Sequence, residues 1–142
     1  MAGESKTQLL ADQLRADPRV KQAEDLLLAA LAEAQSKIDG PRSPNPDLES
    51  ESQAMLDRLA SARGGATYFP YLASGIGKGP WVELTDGSIK LDFIAGIGVH
   101  GLGHSHPSLV KAVFRSTLDD TVMQGNLQQH RTTVDMCERL VD

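Results

Sequence analysis

The sequence predicts a chain that mixes helices and strands: a helical leader, then a β-hairpin, a glycine-rich turn and further helices. Three observations carry this prediction. Apolar residues between Asp17 and Gly40 recur at helical spacing. The segment 80-PWVELTDGSIKLDF-93 alternates around an Asp-Gly pair. The segment 95-AGIGVHGLGHSHP-107 sets glycines and histidines directly ahead of a proline suited to open a helix.

The bounds come from size and composition. A chain of 142 residues with 40% hydrophobic content is about one domain and compatible with a packed core. The single cysteine, Cys137, excludes an internal disulfide framework and a cysteine-based zinc site; its place in an apolar-periodic run predicts an ordinary buried thiol. The net charge of -5 is mild, and lysines and arginines are scattered among acids, so no basic stripe invites nucleic acid. No apolar run approaches the roughly 20 residues a bilayer span needs. The first residues carry Glu4, Asp12 and Asp17 and no signal-peptide core, so no targeting segment is read and the cytoplasm is the default location.

In the leader, Asp17 is placed to cap a helix with Pro18 at its first position and Gly40 past its end. Val20, Ala23, Leu27, Ala30, Leu31, Ala34 and Ile38 form its expected buried stripe, with charged residues opposite. A shorter helix before it turns Leu9, Leu10 and Leu14 inward. After the breaker-rich link 40-GPRSPNPD-47, a third helix runs through Met55, Leu56, Leu59 and Ala60. The expected organisation is a helical extension over 1–63, a hairpin and glycine-rich turn over 64–106, and helices over 107–142. The leader combines no titratable cluster with a special backbone, so it reads as packing or assembly material.

In the hairpin, a two-residue Asp86-Gly87 turn pairs Leu84 with Ile89, Val82 with Leu91, and Glu83 with Lys90. Lys90 then reads as a solvated cross-strand partner of Glu83 and not as a cofactor lysine. The glycine-rich segment admits three readings. His100, His104 and His106 can be written as a metal pattern, but Gly101 and Gly103 oppose the helix that such spacing presumes. Glycines ahead of a helix can offer N–H groups to a phosphate, although neither established phosphate-loop spacing is matched. The third reading is a close structural turn whose histidines cap the helix 107-PSLVKAVFRSTL-118, striped by Leu109, Val110, Val113, Phe114 and Leu118.

The string 77-GKGPWVELTDGSIKLDFIAGIGVHGLGHSHPSLVKAV-113 resembles the N-terminal region of class III pyridoxal-phosphate-dependent aminotransferases, the ornithine, acetylornithine and 4-aminobutyrate aminotransferase relatives. The pieces, a G-x-G opening, an apolar strand, a D-G turn, an L-D-F strand, a G-I-x-V segment and L-G-H-x-H-P before a helix, occur in order over roughly residues 66 to 142.

The resemblance implies an α/β enzyme of fold type I, of which this chain supplies the N-terminal segment behind its helical leader. It implies a homodimer that uses pyridoxal 5'-phosphate to move an amino group from an amino donor to a 2-oxo acid. Gly96, Ile97 and Gly98 then lie at the substrate end of the site, with Tyr68 of 67-TYFPYLASGIGKG-79 opposite Ile97. Gly125 and Asn126 match the stretch that reaches towards the partner's cofactor. Relatives often carry a serine or threonine beside that asparagine and an aromatic residue shortly after; Gly125 and Gln128 depart from this. The histidines become turn and cap residues, not metal ligands. None of the six lysines, Lys6, Lys21, Lys37, Lys78, Lys90 and Lys111, stands in the Schiff-base context, so the catalytic lysine and phosphate cup are expected beyond Asp142, and the chain alone is expected to be inactive. Alternatives are an aminomutase or decarboxylase-like relative and a non-catalytic interaction module.

Overall fold

The computed structural model describes residues 8–119 and 129–141. In chain order the elements are α1 (Leu10–Ala16), α2 (Pro18–Ser36), α3 (Pro46–Arg63), β1 (Ala73–Lys78), β2 (Trp81–Leu84), β3 (Ile89–Leu91), a short turn α4 (Ala95–Gly98), α5 (Pro107–Ser116) and α6 (Arg131–Val141).

Helix starts follow local chemistry. Asp17 accepts from the Arg19 amide at 2.8 Å, Asn45 from the Asp47 amide at 3.1 Å, and His106 Nδ1 from the Ser108 amide at 3.2 Å, each directly before a proline at the first helical position. At the other end of α3, Gly64 takes a left-handed C-cap with φ 76°, closing the leader where the composition changes.

The expected inward stripe of α2 is only partly rotated: Val20, Leu31 and Ala34 are half-buried and Ile38 is buried, while Ala23, Leu27 and Ala30 are exposed. Leu27 is exposed, and the buried residues of the helix are Glu24 and Gln35, with half-buried Val20, Leu28 and Leu31 on the same face. The cause is electrostatic: Glu24, only 1% exposed, meets Arg115 Nε at 2.5 Å and Lys111 Nζ at 3.2 Å, both from α5. Lys21 Nζ of α2 itself lies 3.4 Å away, and a carboxylate with three cations in reach is stable inside, whereas one facing apolar side chains is not. The helix ends at Ser36, short of Gly40, and Ile38 enters the core just beyond it. In α1, Leu9, Leu10 and Leu14 are exposed and not turned inward; charged contacts from Arg15 to Asp119 and from Arg131 to Asp12 join this end of the leader to the C-terminal helices. On α5, Leu109 and Val113 are exposed, so its stripe is only partly covered. Cys137 on α6 is exposed, contrary to the buried thiol expected, because the apolar face of α6, with Val134 and Leu140, is itself exposed.

The hairpin supplies the central and one edge strand of a three-stranded antiparallel sheet in the order β1-β2-β3. Its register differs by one residue from the expectation: Trp81 pairs with Leu91, Val82 with Lys90 and Glu83 with Ile89. A two-residue turn of the expected kind requires positive φ at both central positions, and here Gly87 has it (φ 76°) while Asp86 does not. The loop instead takes three residues, closed by Leu84 N–H donating to Ser88 O and Gly87 N–H to Leu84 O, both at 2.9 Å. Asp86 Oδ1 accepts from the Ser88 amide at 2.8 Å and the Ser88 hydroxyl at 2.6 Å, which secures the three-residue form. Glu83 is therefore not the partner of Lys90: it accepts from Arg42 at 2.9 Å and from Ser74 at 2.8 Å. Lys90 is exposed.

The leader completes this sheet. Arg42 and Ile89 exchange two backbone hydrogen bonds of 3.1 Å, and Asn45 N–H donates to Asp86 O at 2.8 Å. Among the described residues the buried apolar side chains are Ile38 from the leader with Leu84 and Ile89 from the sheet. On the opposite side, His104 N–H donates to Gly79 O at 2.8 Å, drawing the glycine-rich segment onto the β1–β2 connection.

Two predictions follow from this packing. Arg115 holds the Glu24 carboxyl at about 2, against an ordinary value of 4.5, with burial opposing and Lys111 assisting. Because the folded value is depressed, the stabilisation is complete above 4.5 and is lost as pH falls towards 2. Glu24→Gln should therefore melt below wild type at neutral pH, with the gap closing across that window in a pH series of thermal unfolding. At Gly103, φ is 86° and an added Cβ would lie 2.7 Å from Gly79 Cα, whereas one at Gly101 meets nothing within 4 Å. Gly103→Ala should cost about 2 kcal/mol or more and Gly101→Ala under about 0.5 kcal/mol by denaturant unfolding.

Candidate functional site

The sequence between Asp92 and Pro107 folds as an unusual piece of backbone. Ala95, Gly96, Ile97 and Gly98 all have positive φ, at 48°, 60°, 62° and 85°. Glycine accepts this region readily, but a β-branched isoleucine does so only under strain. Ile97 gains no burial in return, since it is 91% exposed. The turn is closed by Ile97 N–H to Ile94 O at 2.8 Å and His100 N–H to Ala95 O at 2.9 Å.

Asp92 holds the entrance of the turn. Its Oδ1 accepts from the amides of Ile94 and Ala95 at 2.8 and 3.0 Å, and its Oδ2 lies 2.8 Å from His104 Nε2. The His104 bond, aided by the two amides, holds the Asp92 carboxyl below the usual carboxylate range. His100 stacks on His104 with ring centroids 4.6 Å apart. These groups line a cleft of about 290 Å³ together with Gly79, Pro80, Ala95 and Gly103.

Gly96, Ile97 and Gly98 are thus brought together in one turn beside this cleft. Tyr68 is on a separate segment ahead of β1, 93% exposed, with its ring edge-on to Phe69 at 4.8 Å; Phe69 in turn stacks parallel to Tyr71 at 6.3 Å. The expected positions Gly125 and Asn126 lie outside the described residues. The three histidines of the pattern have separate tasks: His106 caps α5, His104 bonds Asp92, and His100 stacks on His104. Among the described residues, no group of three or more His, Cys, Asp or Glu is arranged to hold a metal ion.

Sequence reasoning missed the Asp92–His104 pair and the buried amide of Gln35, which donates to Gly77 O at 2.7 Å and Ser105 O at 3.0 Å. A signal for the first existed, since Asp92 sits two residues before the turn's first amide, a spacing that favours a side-chain-to-backbone bond. Gln35 offered none, because both of its partners are backbone carbonyls distant in sequence.

The cleft lining carries no lysine and no arginine. Lys21 and Lys111 are held by acids of α2. The described residues of the cleft therefore do not fit the aldehyde and phosphate of pyridoxal phosphate, and no chemical step is assigned to them through that group. What they offer is a shaped edge: exposed apolar side chains over a hydrogen-bonded backbone. No helix among the described residues is long and apolar enough to cross a membrane.

Known proteins share this architecture's sequence. The family model described as aminotransferase class-III matches residues 63–142. An acetylornithine aminotransferase of Corynebacterium efficiens is 38% identical over 65 residues, covering 46% of this chain and 16% of that protein. An acetylornithine aminotransferase 1 of Bradyrhizobium diazoefficiens is 51% identical over 37 residues, 26% of this chain and 9% of the relative. An alanine/serine racemase of Pyrococcus horikoshii is 36% identical over 77 residues, 54% of this chain and 15% of the relative. The chain thus spans less than a fifth of the length of these curated relatives. No solved structure matches. The family match covers more than half of the chain and takes in the sheet, the left-handed turn and the helix capped by His106, and on that ground the chain belongs to the class-III aminotransferases.

Proposed function

We propose that this chain is the N-terminal portion of a fold-type-I aminotransferase that passes an amino group from an amino donor to a 2-oxo acid, and that its left-handed turn faces the substrate. The observation that carries the reading is Ile97: a β-branched residue at φ 62° with its side chain exposed. Strain of this kind costs about 1–3 kcal/mol and persists where function retains it. Family membership supplies the chemistry, since class-III aminotransferases depend on pyridoxal phosphate. Here Gly96, Ile97 and Gly98 form one wall of the substrate pocket and Tyr68 another. Gly125 and Asn126 approach the cofactor of the second subunit in a homodimer. The Schiff-base lysine and the phosphate-binding backbone belong to other parts of the enzyme, so the chain alone is inactive. The identity of the acetylornithine aminotransferase relatives favours donors whose amino group is carried on an extended aliphatic chain.

A second reading rests on the relative named alanine/serine racemase: proton exchange at the amino-bearing carbon with no transfer to an acceptor. The two separate by acceptor dependence. With an amino donor supplied alone, an aminotransferase stops after a single half-reaction, and multiple turnovers appear only when a 2-oxo acid is added. Sustained inversion of an amino acid without any 2-oxo acid establishes the racemase instead.

The role of Ile97 gives a direct prediction. Ile97→Gly removes the left-handed strain of a β-branched residue and loses no buried area, so it should raise unfolding stability by up to about 1 kcal/mol. In the enzyme it should lower kcat/KM for the preferred donor by roughly tenfold or more, the scale of a lost apolar pocket contact. Unchanged donor selectivity counts against a substrate-facing turn.

A further inference from the structure

We infer that the helical leader sets the conformation of the left-handed turn, with Gln35 of α2 as the positioning residue acting through Ser105, His104 and Asp92. The inference rests on the reading of that turn as substrate-facing for its functional consequence, although the relay itself is purely geometric.

Gln35 lies outside the family match, on a helix whose other buried residue is Glu24. It is buried, and its single amide nitrogen donates to two carbonyls from separate parts of the chain: Gly77 of β1 at 2.7 Å and Ser105 of the glycine-rich segment at 3.0 Å. The Ser105 hydroxyl accepts from Gly77 N–H at 3.1 Å, which closes a ring of three residues. Ser105 stands in this ring with φ 48°, a conformation a serine does not adopt without support. The ring therefore fixes the direction in which the chain leaves residue 104.

From there the chain of contacts continues to Asp92. His104 is tied to Gly79 O by its own amide at 2.8 Å, so its imidazole is delivered to one place, 2.8 Å from Asp92 Oδ2. The other oxygen of Asp92 holds the amides of Ile94 and Ala95, the last two residues before Gly96. A displaced His104 leaves Asp92 free to rotate, and the amides that begin the left-handed turn lose their common acceptor. Apart from the exposed Ile94 amide, the side-chain links are buried or part-buried, where loss of one partner is costly.

The test is amide hydrogen exchange on the intact protein, comparing wild type with Gln35→Met, which keeps the side-chain length and removes both donors. Ser105→Ala serves as a second variant that leaves α2 untouched, should the first fold poorly. In both, exchange at the amides of Ile94, Ala95 and His104 should accelerate about tenfold, the effect of losing one such bond, while Arg42 and Ile89 at the opposite sheet edge stay within about twofold. Acceleration confined to Gly77 and Ser105, or equal across all these amides, overturns the relay. Steady-state kinetics on the same variants separates the two claims. Accelerated exchange with a raised donor KM supports both; accelerated exchange with an unchanged KM supports the relay and overturns the substrate-facing turn. Unchanged exchange overturns the relay whatever the kinetics show.

Discussion

The arrangement depends on α2 burying polar groups instead of leucines. An apolar stripe can slide or rotate against its neighbours at modest cost, because dispersion and burial are non-directional. A carboxylate and an amide cannot: Glu24 meets Arg115 and Lys111 where they converge, and Gln35 meets the carbonyls of Gly77 and Ser105 where they lie side by side. One group sits in the first third of the helix and the other next to its end, so rotation and axial position are both pinned. Such groups contribute more to uniqueness of packing than to net stability, since their desolvation offsets much of their attraction. The small apolar core of Ile38, Leu84 and Ile89 is consistent with that division of labour.

What was legible in the sequence was what the chain decides locally. The starts of α2 and α5 are written in Asp17-Pro18 and His106-Pro107, and the change of character at Gly64 is a left-handed cap. The strained turn announces itself in its glycines. What was not legible was decided by partners far along the chain or by a single residue's φ. The partial rotation of α2 depends on a cation 91 residues away, and the hairpin register on whether Asp86 joins Gly87 at positive φ. The alternation of the two strands favours the register of a two-residue turn, and the three-residue loop overrides it by a slip of one residue. The resemblance to class III aminotransferases was legible because it rests on turn residues, whose identity backbone geometry restricts.

The family match and the leader meet at residue 63, yet the hydrogen bonds ignore that border. Strand pairing, the capped helix and the left-handed turn belong to the family segment, while much of what immobilises them comes from the leader.

The connector between α2 and α3 illustrates the point from another side. Its composition, Gly40-Pro41-Arg42-Ser43-Pro44-Asn45-Pro46, is that of a hinge, and its side chains are largely exposed. Its backbone is nevertheless spliced into the sheet edge by Arg42 at Ile89 and by Asn45 at Asp86, leaving Ser43-Pro44 as the unanchored step. A protease needs an extended run of free backbone, and an inserted tag needs slack; this segment supplies neither without first detaching β3 from its edge partner. The same splice occupies the outer edge of β3 at Ile89, a place where an uncapped strand would invite pairing with a neighbouring molecule.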